Sequence, residues 1–239
     1  HTRYIGDWSS DVCSSDLLLE GGVRRGDAAA AFAHCAAVAE GVFETAFVEH
    51  AYIEPEAGWA RRVGDRIEIF ASTQTPYMDR DEIASVMRLQ PTQVRIVPTS
   101  CGGGFGGKLD LSVQPLLALA AWTLNRPVAF VYTRPESMAA STKRHPARVT
   151  AKFGCDADGK LVACDVRATF DTGAYASWGP TVANRVPVHA MGPYAVPNVR
   201  TLGEAFFTNG PPAGAFRGFG VPQAADRKST RLNSSHRCI

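Results

Sequence analysis

Cys101-Gly102-Gly103-Gly104-Phe105-Gly106-Gly107-Lys108 places five glycines and one aromatic between two apolar runs. Before it, Val94-Arg95-Ile96-Val97 alternates as a strand does; after it, Leu111 to Leu124 has the length and spacing of a buried helix. An ordinary turn needs one or two glycines, so this density points to backbone brought close to a ligand. Without side chains, such a loop can turn its amide N–H groups toward an anionic group at the start of the following helix. A loop that faces a cofactor is therefore expected here.

The two ends of the chain read differently from its middle. His1 to Leu17 and Asp226 to Ile239 can be back-translated into strings that are reverse complements of each other, a relation no selection on a protein produces. The text resembles a sequencing-library adapter translated at both ends of an assembled read. Residues 1–17 and 226–239 are accordingly set aside as non-native tails. The remaining Leu18 to Ala225 is expected to begin and stop within a longer protein.

Of the 25 Lys plus Arg the tails hold five, leaving 20; of the 23 Asp plus Glu they hold four, leaving 19. This near balance implies neither a nucleic acid nor a membrane surface as partner. Once Cys13 and Cys238 are removed, Cys35, Cys101, Cys155 and Cys164 remain, with no C-x-x-C or Cys/His metal spacing, and they are expected to be reduced. No signal peptide and no apolar run long enough to span a bilayer is seen. A cytoplasmic location is expected, with a periplasmic one left open because a targeting signal could precede residue 18.

In chain order, residues 18–40 read as a linker carrying Gly21, Gly22 and Gly26, with an Ala-rich surface helix over Asp27 to Val38. Gly41 to His50 alternates like an edge strand, and Pro55 ends the extension that follows. Arg66 to Ala71 reads as a strand, Thr73-Gln74-Thr75-Pro76 as a turn, and Asp79 to Leu89 as a helix whose first turn suits Asp79 and Asp81. Val128 to Tyr132 reads as a short buried strand. Arg148 to Phe153 and Leu161 to Thr172 form an expected hairpin around Asp158-Gly159. Asp156-Ala157-Asp158-Gly159 has the look of a calcium loop but lacks the later glutamate, so a plain turn is expected. Val199 to Thr208 is strand-like and is followed by a Gly/Pro loop, Asn209 to Gly220. Helices and strands mix without strict alternation, which argues an α+β fold.

The glycine loop allows two chemistries. Gly102-x-x-x-x-Gly107-Lys108 satisfies all but the last position of a phosphate-binding loop, but that position is Leu109 where a Ser or Thr hydroxyl should hold magnesium. Val128 to Tyr132 also ends without the aspartate that would complete a metal site. A phosphate-loop nucleotide enzyme is kept as an alternative, as is a non-catalytic domain that retains the fold.

The other chemistry comes from a resemblance. Ser72-Thr73-Gln74-Thr75-Pro76, Gly102 to Lys108, Arg144-His145-Pro146 and Gly214-Ala215-Phe216-Arg217-Gly218-Phe219-Gly220 occur in the order and at about the spacing seen in the large subunit of molybdenum hydroxylases, the xanthine dehydrogenase and aldehyde oxidase family. The resemblance runs from about Leu18 to Ala225. It implies that residues 41–225 are a truncated first molybdenum-cofactor-binding domain, with residues 18–40 linking it to a preceding α/β hammerhead domain and a second cofactor domain following.

Carried over residue by residue, Gln74 matches a glutamine whose amide sits beside the apical oxygen of molybdenum. Gly103, Gly104, Phe105 and Gly106 match the loop that approaches the metal's ligands through its backbone, and Arg217 matches an arginine of the second cofactor-facing loop. By this resemblance Gln74, Phe105 and Arg217 surround the molybdenum without ligating it. An anionic metal centre on a phosphorylated pterin wants amide, guanidinium and backbone N–H donors, which these residues supply. Taken singly, they would read as a turn glutamine, a core phenylalanine and a surface arginine.

Phe219 matches an aromatic that stacks on the substrate ring, and Arg185 an arginine that orients substrate in purine-hydroxylating members, against the plainer reading of a helix-surface ion pair. Leu109 stands where those members carry a purine-binding glutamate. Asp110, one residue later at the expected start of a helix, would be turned about 100° away. A leucine would leave a polar substrate edge unpaired at a cost of about 1–3 kcal/mol, so an N-heteroaromatic or an aromatic aldehyde is expected ahead of xanthine.

The resemblance implies hydroxylation of an electron-poor carbon in an N-heteroaromatic or aldehyde, with oxygen from water. It implies a molybdenum–molybdopterin cofactor, in its cytosine dinucleotide form, and iron–sulfur clusters and FAD held by other domains or subunits. The general-base glutamate belongs to the later cofactor domain, so no catalytic residue is assigned within this stretch, and none of Glu54, Glu56, Glu136 or Glu204 takes that role. Carbon monoxide dehydrogenases carry a cysteine in the loop matching Pro212 to Gly220, where this chain has none.

Overall fold

A computed structural model describes residues 16–225. In chain order they form β1 (Leu17–Arg25), α1 (Ala28–Phe32), β2 (Ala37–Thr45), β3 (Ala57–Val63), β4 (Arg66–Ala71), α2 (Pro76–Met87), β5 (Val94–Pro98), α3 (Gln114–Leu124), β6 (Val128–Val131), α4 (Arg134–Ala140), β7 (Ala147–Cys155), β8 (Leu161–Gly173), α5 (Gly179–His189) and β9 (Asn198–Phe207). Helix and sheet are mixed, as an α+β fold requires, and the chain divides into two compact units.

One unit takes residues 49–143 together with Ala215–Arg217. Its four-stranded sheet runs β5-β4-β3-β6, with β4 and β5 parallel and the other pairs antiparallel. Ile67, Ile69 and Ala71 of β4 alternate into the core, the period-two pattern of a half-buried strand. Against them α3 turns Gln114, Leu117, Ala118 and Ala121, a stripe at helical spacing. β4 delivers its chain directly into the Ser72–Pro76 turn, and β5 delivers its chain into the glycine loop. The parallel pairing of β4 with β5 therefore carries both segments to the same end of the sheet.

The other unit holds the remaining described residues around a five-stranded sheet of order β1-β9-β8-β7-β2. β7 and β8 form the expected hairpin, and its tip is closed by Asp156, whose carboxylate accepts from the N–H groups of Asp158 and Lys160. That use of Asp156 as a turn brace agrees with the plain-turn reading. Helix α5 buries Gly179, Val182, Ala183, Val186 and Pro187 against β1, β8 and β9. Its approach to β9 depends on Gly203, where a Cβ would stand 2.5 Å from the Ala183 carbonyl and 2.9 Å from Pro187 Cγ.

The structure corrects several expectations. Residues 18–40 are not a linker: β1 pairs along β9, α1 covers only Ala28–Phe32, and β2 starts at Ala37. The glycines and alanines of this stretch mask an edge strand whose pattern is set by a neighbour distant in sequence. β1 opens at Leu17, within the stretch set aside as tail. The remaining expectations for residues 1–15 and 226–239 lie outside the described residues. Helix α3 begins at Gln114, not Leu111, so the glycine loop is followed by further non-helical residues, and Asp110 is not on a helix. Helical geometry therefore does not turn Asp110 away from Leu109.

Gly203→Ala forces a methyl into the α5–β9 contact and should destabilise the protein by about 1–3 kcal/mol, the usual range for overpacking. Thermal unfolding checks this, and an unchanged midpoint would contradict the close approach.

Candidate functional site

Gln74, the glycine loop and Arg217 come together within the four-stranded unit. Gln74 Oε1 accepts from the N–H of Gly106 at 3.0 Å and of Lys108 at 3.3 Å. Its backbone N–H donates to the Lys108 carbonyl at 3.0 Å. Two N–H donors can meet only the oxygen of a carboxamide, so the flip of Gln74 is fixed by the loop. Its Nε2 hydrogens are thereby left uncommitted among the described residues, on a side chain that is exposed. Gly104 permits this contact, since a Cβ there would lie 2.5 Å from Gln74 Oε1.

The loop amides divide into two sets. Gly102 donates to Glu54 Oε2, Gly107 to the Gly104 carbonyl and Leu109 to the Gly106 carbonyl, in addition to the two held by Gln74. No hydrogen bond among the described residues engages the N–H groups of Gly103, Gly104 and Phe105. Phe105 takes a left-handed φ of 52° and leaves its ring half exposed. Its carbonyl accepts from Arg217 N–H at 2.8 Å, which draws Ala215–Arg217 onto the glycine loop, and the Arg217 side chain is exposed. Gly106, expected to face a ligand, instead turns its N–H inward to Gln74.

Beneath the loop lies a charge. The Lys108 side chain is 1 % exposed, and its ammonium lies 2.7 Å from Glu54 Oε2, 3.0 Å from Ser72 Oγ and 4.9 Å from the Tyr52 ring centroid. Burial alone would push the Glu54 carboxyl up, but hydrogen bonds from Lys108, Gly102 and Ser72, with the lysine charge, hold it below its ordinary 4.5. Lys108 is thus consumed inside the protein. That, with the absence of a helix start at the loop, removes the structural basis of the phosphate-loop alternative.

A second buried group braces the Gln74 turn. Asp79, 1 % exposed, accepts from Gln114 Nε2 at 3.1 Å and from Thr75 Oγ1 at 3.4 Å. Burial outweighs these bonds and one from Thr73, and raises its carboxyl above the ordinary value. Thr75 Oγ1 also lies 3.1 Å from the Leu109 carbonyl, so the half-buried Leu109 is tied to the turn through its backbone.

Arg185 and Phe219 belong to the other unit. The guanidinium carbon of Arg185 lies 5.7 Å from the Phe219 ring centroid, and Trp178 meets the same ring edge-on at 5.8 Å. Arg185 is exposed on α5, as a helix-surface residue would be, but it is packed over an aromatic and has no carboxylate in ion-pair range among the described residues. Of the glutamates left without a catalytic role, Glu54 pairs with Lys108, Glu56 with Tyr52, Glu136 caps α4 through Thr133, and Glu204 pairs with Arg167.

Sequence reading missed Glu54, Ser72, Asp79 and Gln114 as supports. Two signals were available: a lysine beside glycines that lacks a phosphate-loop partner needs a counter-charge, and a polar Gln114 heading an apolar helical stripe needs a buried acceptor.

The molybdopterin cofactor-binding domain is the family whose model matches this chain, over residues 14–225, and the match runs through the 18–40 stretch. The chain is 46 % identical over 210 residues to the nicotinate dehydrogenase large molybdopterin subunit of Eubacterium barkeri, covering 87 % of this chain and 49 % of that protein. It is 42 % identical to a probable xanthine dehydrogenase subunit of Bacillus subtilis, across 91 % of this chain and 29 % of that one. Its fold superposes on the aldehyde oxidoreductase of Desulfovibrio gigas with a TM-score of 0.85 and 29 % identity, over 91 % of this chain and 25 % of the other. The chain thus spans about half, or less, of the proteins it matches.

Glu54→Gln should cost about 2–3 kcal/mol at neutral pH, below the 3–5 kcal/mol typical of a fully buried pair because the Glu54 side chain is 30 % exposed. Since the folded carboxyl is depressed, its contribution is complete above the ordinary value and is lost as pH falls through the folded one. Denaturant unfolding of both proteins should therefore show the gap closing below about pH 4. A gap of equal size at acid and neutral pH would contradict the pairing.

Proposed function

This chain belongs to the molybdopterin cofactor-binding domain family, and on that premise we propose that it forms one wall of the molybdenum-cofactor site of a hydroxylase. The reaction we assign to the full-length enzyme is oxidation of an N-heteroaromatic or aldehyde carbon with oxygen from water. When bound, the cofactor supplies the two-electron oxidation.

The observation that carries this reading is the fixed amide of Gln74, with Oε1 bound by loop N–H groups and Nε2 left to donate. The residues around it fit an anionic group. Gly103, Gly104 and Phe105 offer N–H groups with no acceptor among the described residues, and Arg217 adds an exposed guanidinium. Glu54, whose carboxylate meets the start of this loop, is neutralised by Lys108. Gln74 would hold an oxygen acceptor by its amide, and the N–H groups of Gly103, Gly104 and Phe105 would donate to the anionic group. Preorganised donors of this kind act without reorganisation at the moment of reaction.

For substrate we assign Arg185 and Phe219 as a recognition pair: an aromatic face with a cation beside it suits a flat ring bearing a carboxylate or an acceptor nitrogen. Leu109 suits hydrocarbon rather than a purine edge. The nicotinate dehydrogenase relative is named for a substrate of this class. The general base, iron–sulfur clusters and FAD are assigned to other parts of the enzyme, the cofactor to its cytosine dinucleotide form, and the location to the cytoplasm. Both of these relatives are named as subunits, one of them as a large molybdopterin subunit, which supports such an assembly.

In the full-length enzyme, Gln74→Ala and Arg217→Ala should each lower turnover on the order of a hundredfold with the fold retained. Near-normal turnover in both would overturn the site. Steady-state kinetics should favour nicotinate, quinoline or benzaldehyde over xanthine and hypoxanthine, and a strong preference for xanthine would overturn the substrate class.

A further inference from the structure

The side chain of His50 touches both loops assigned to the cofactor. It is 6 % exposed, and its Nε2 lies 2.6 Å from the Ala215 carbonyl oxygen. A carbonyl can only accept, so Nε2 carries the hydrogen and donates it. The ring stacks on Phe216 at 4.1 Å between centroids and 18° between planes. On the glycine-loop side, a Cβ at Gly107 would fall 3.0 Å from His50 Cγ and Nδ1, so the loop backbone rests directly on the imidazole.

The backbone that carries the ring is braced in turn: Glu49 Oε1 accepts from the His50 main-chain N–H at 3.1 Å, while the other oxygen of Glu49 pairs with Lys143 at 2.8 Å. The ring itself is held by its burial, by the Ala215 carbonyl and by the stack on Phe216. One residue past Phe216, Arg217 N–H meets the Phe105 carbonyl at 2.8 Å, and Gly106 lies so close to Ala215 that a Cβ there would stand 2.7 Å from its carbonyl oxygen.

We propose that His50 is a positioning residue: its Nε2–H bond to Ala215, backed by the stack on Phe216, sets the register of Ala215–Arg217 against Gly102–Lys108 and so places the Arg217 guanidinium relative to Gln74 and Phe105. The inference rests on the reading of these loops as the cofactor wall, but the contacts themselves do not.

The test uses the full-length protein with His50→Phe, which keeps a ring to stack on Phe216 and lacks the donor, and His50→Gln, whose Nε2 can occupy the donor position. Amide hydrogen exchange, read in protein free of cofactor, should be about tenfold faster over residues 213–218 in His50→Phe and near wild type in His50→Gln, with β4 protected in both. In loaded enzyme, kcat should fall in His50→Phe with KM little changed and recover in His50→Gln. Unchanged exchange over residues 213–218 in His50→Phe overturns the proposal, as does equally fast exchange in His50→Gln. If His50→Phe unfolds, so that β4 also exchanges fast, His50→Gln alone decides, with wild-type protection and kcat supporting the proposal and their loss overturning it. Failure of the molybdenum reading would show separately, as folded wild-type protein that takes up no molybdenum while the exchange pattern still holds.

Discussion

A lysine ammonium buried to 1 % exposure has to be neutralised where it sits, and in this protein that requirement organises the glycine loop. Lys108 is met by Glu54 from the segment before β3 and by Ser72 from the end of β4, so three distant stretches are drawn to one point. Glu54 also accepts from Gly102 N–H, which fixes the start of the loop at the place where Lys108 fixes its end. Between those two anchors the backbone closes on Gln74 Oε1 and leaves three consecutive N–H groups, those of Gly103 to Phe105, with no acceptor among the described residues. The charge thus works as a fastener rather than as a ligand-binding group.

The sheet supplies what the fastener acts on. β4 and β5 are parallel neighbours whose ends release the Ser72–Pro76 turn and the glycine loop side by side. Asp79 and Gln114 support the turn from below, while Phe105 receives Arg217 through its carbonyl. In the other unit, α5 sits close on β9 because Gly203 allows it, and this helix carries Arg185. Each proposed recognition residue therefore stands on, or is tied to, a regular element.

Much of this was legible in the sequence because it rests on local pattern. β4, β5, the β7–β8 hairpin and β9 announce themselves by alternation, and the Ser72–Pro76, glycine-loop and Gly214–Gly220 motifs point to the family that the comparisons support. What could not be read were the pairings. β1 looks like a linker because its glycines carry no pattern, and only β9, far along the chain, makes it a strand. Lys108 reads as a phosphate-loop lysine because its partner Glu54 lies 54 residues earlier, and nothing local marks the two as a pair. Gly106 reads as ligand-facing because sequence shows a glycine but not the direction of its amide.

The central claim is that these loops form one wall of a molybdopterin site, and metal content of the full-length protein tests it most directly. Purified from a host that makes the cofactor, the full-length protein should carry stoichiometric molybdenum. Protein that is folded and soluble yet free of molybdenum under those conditions would contradict the account.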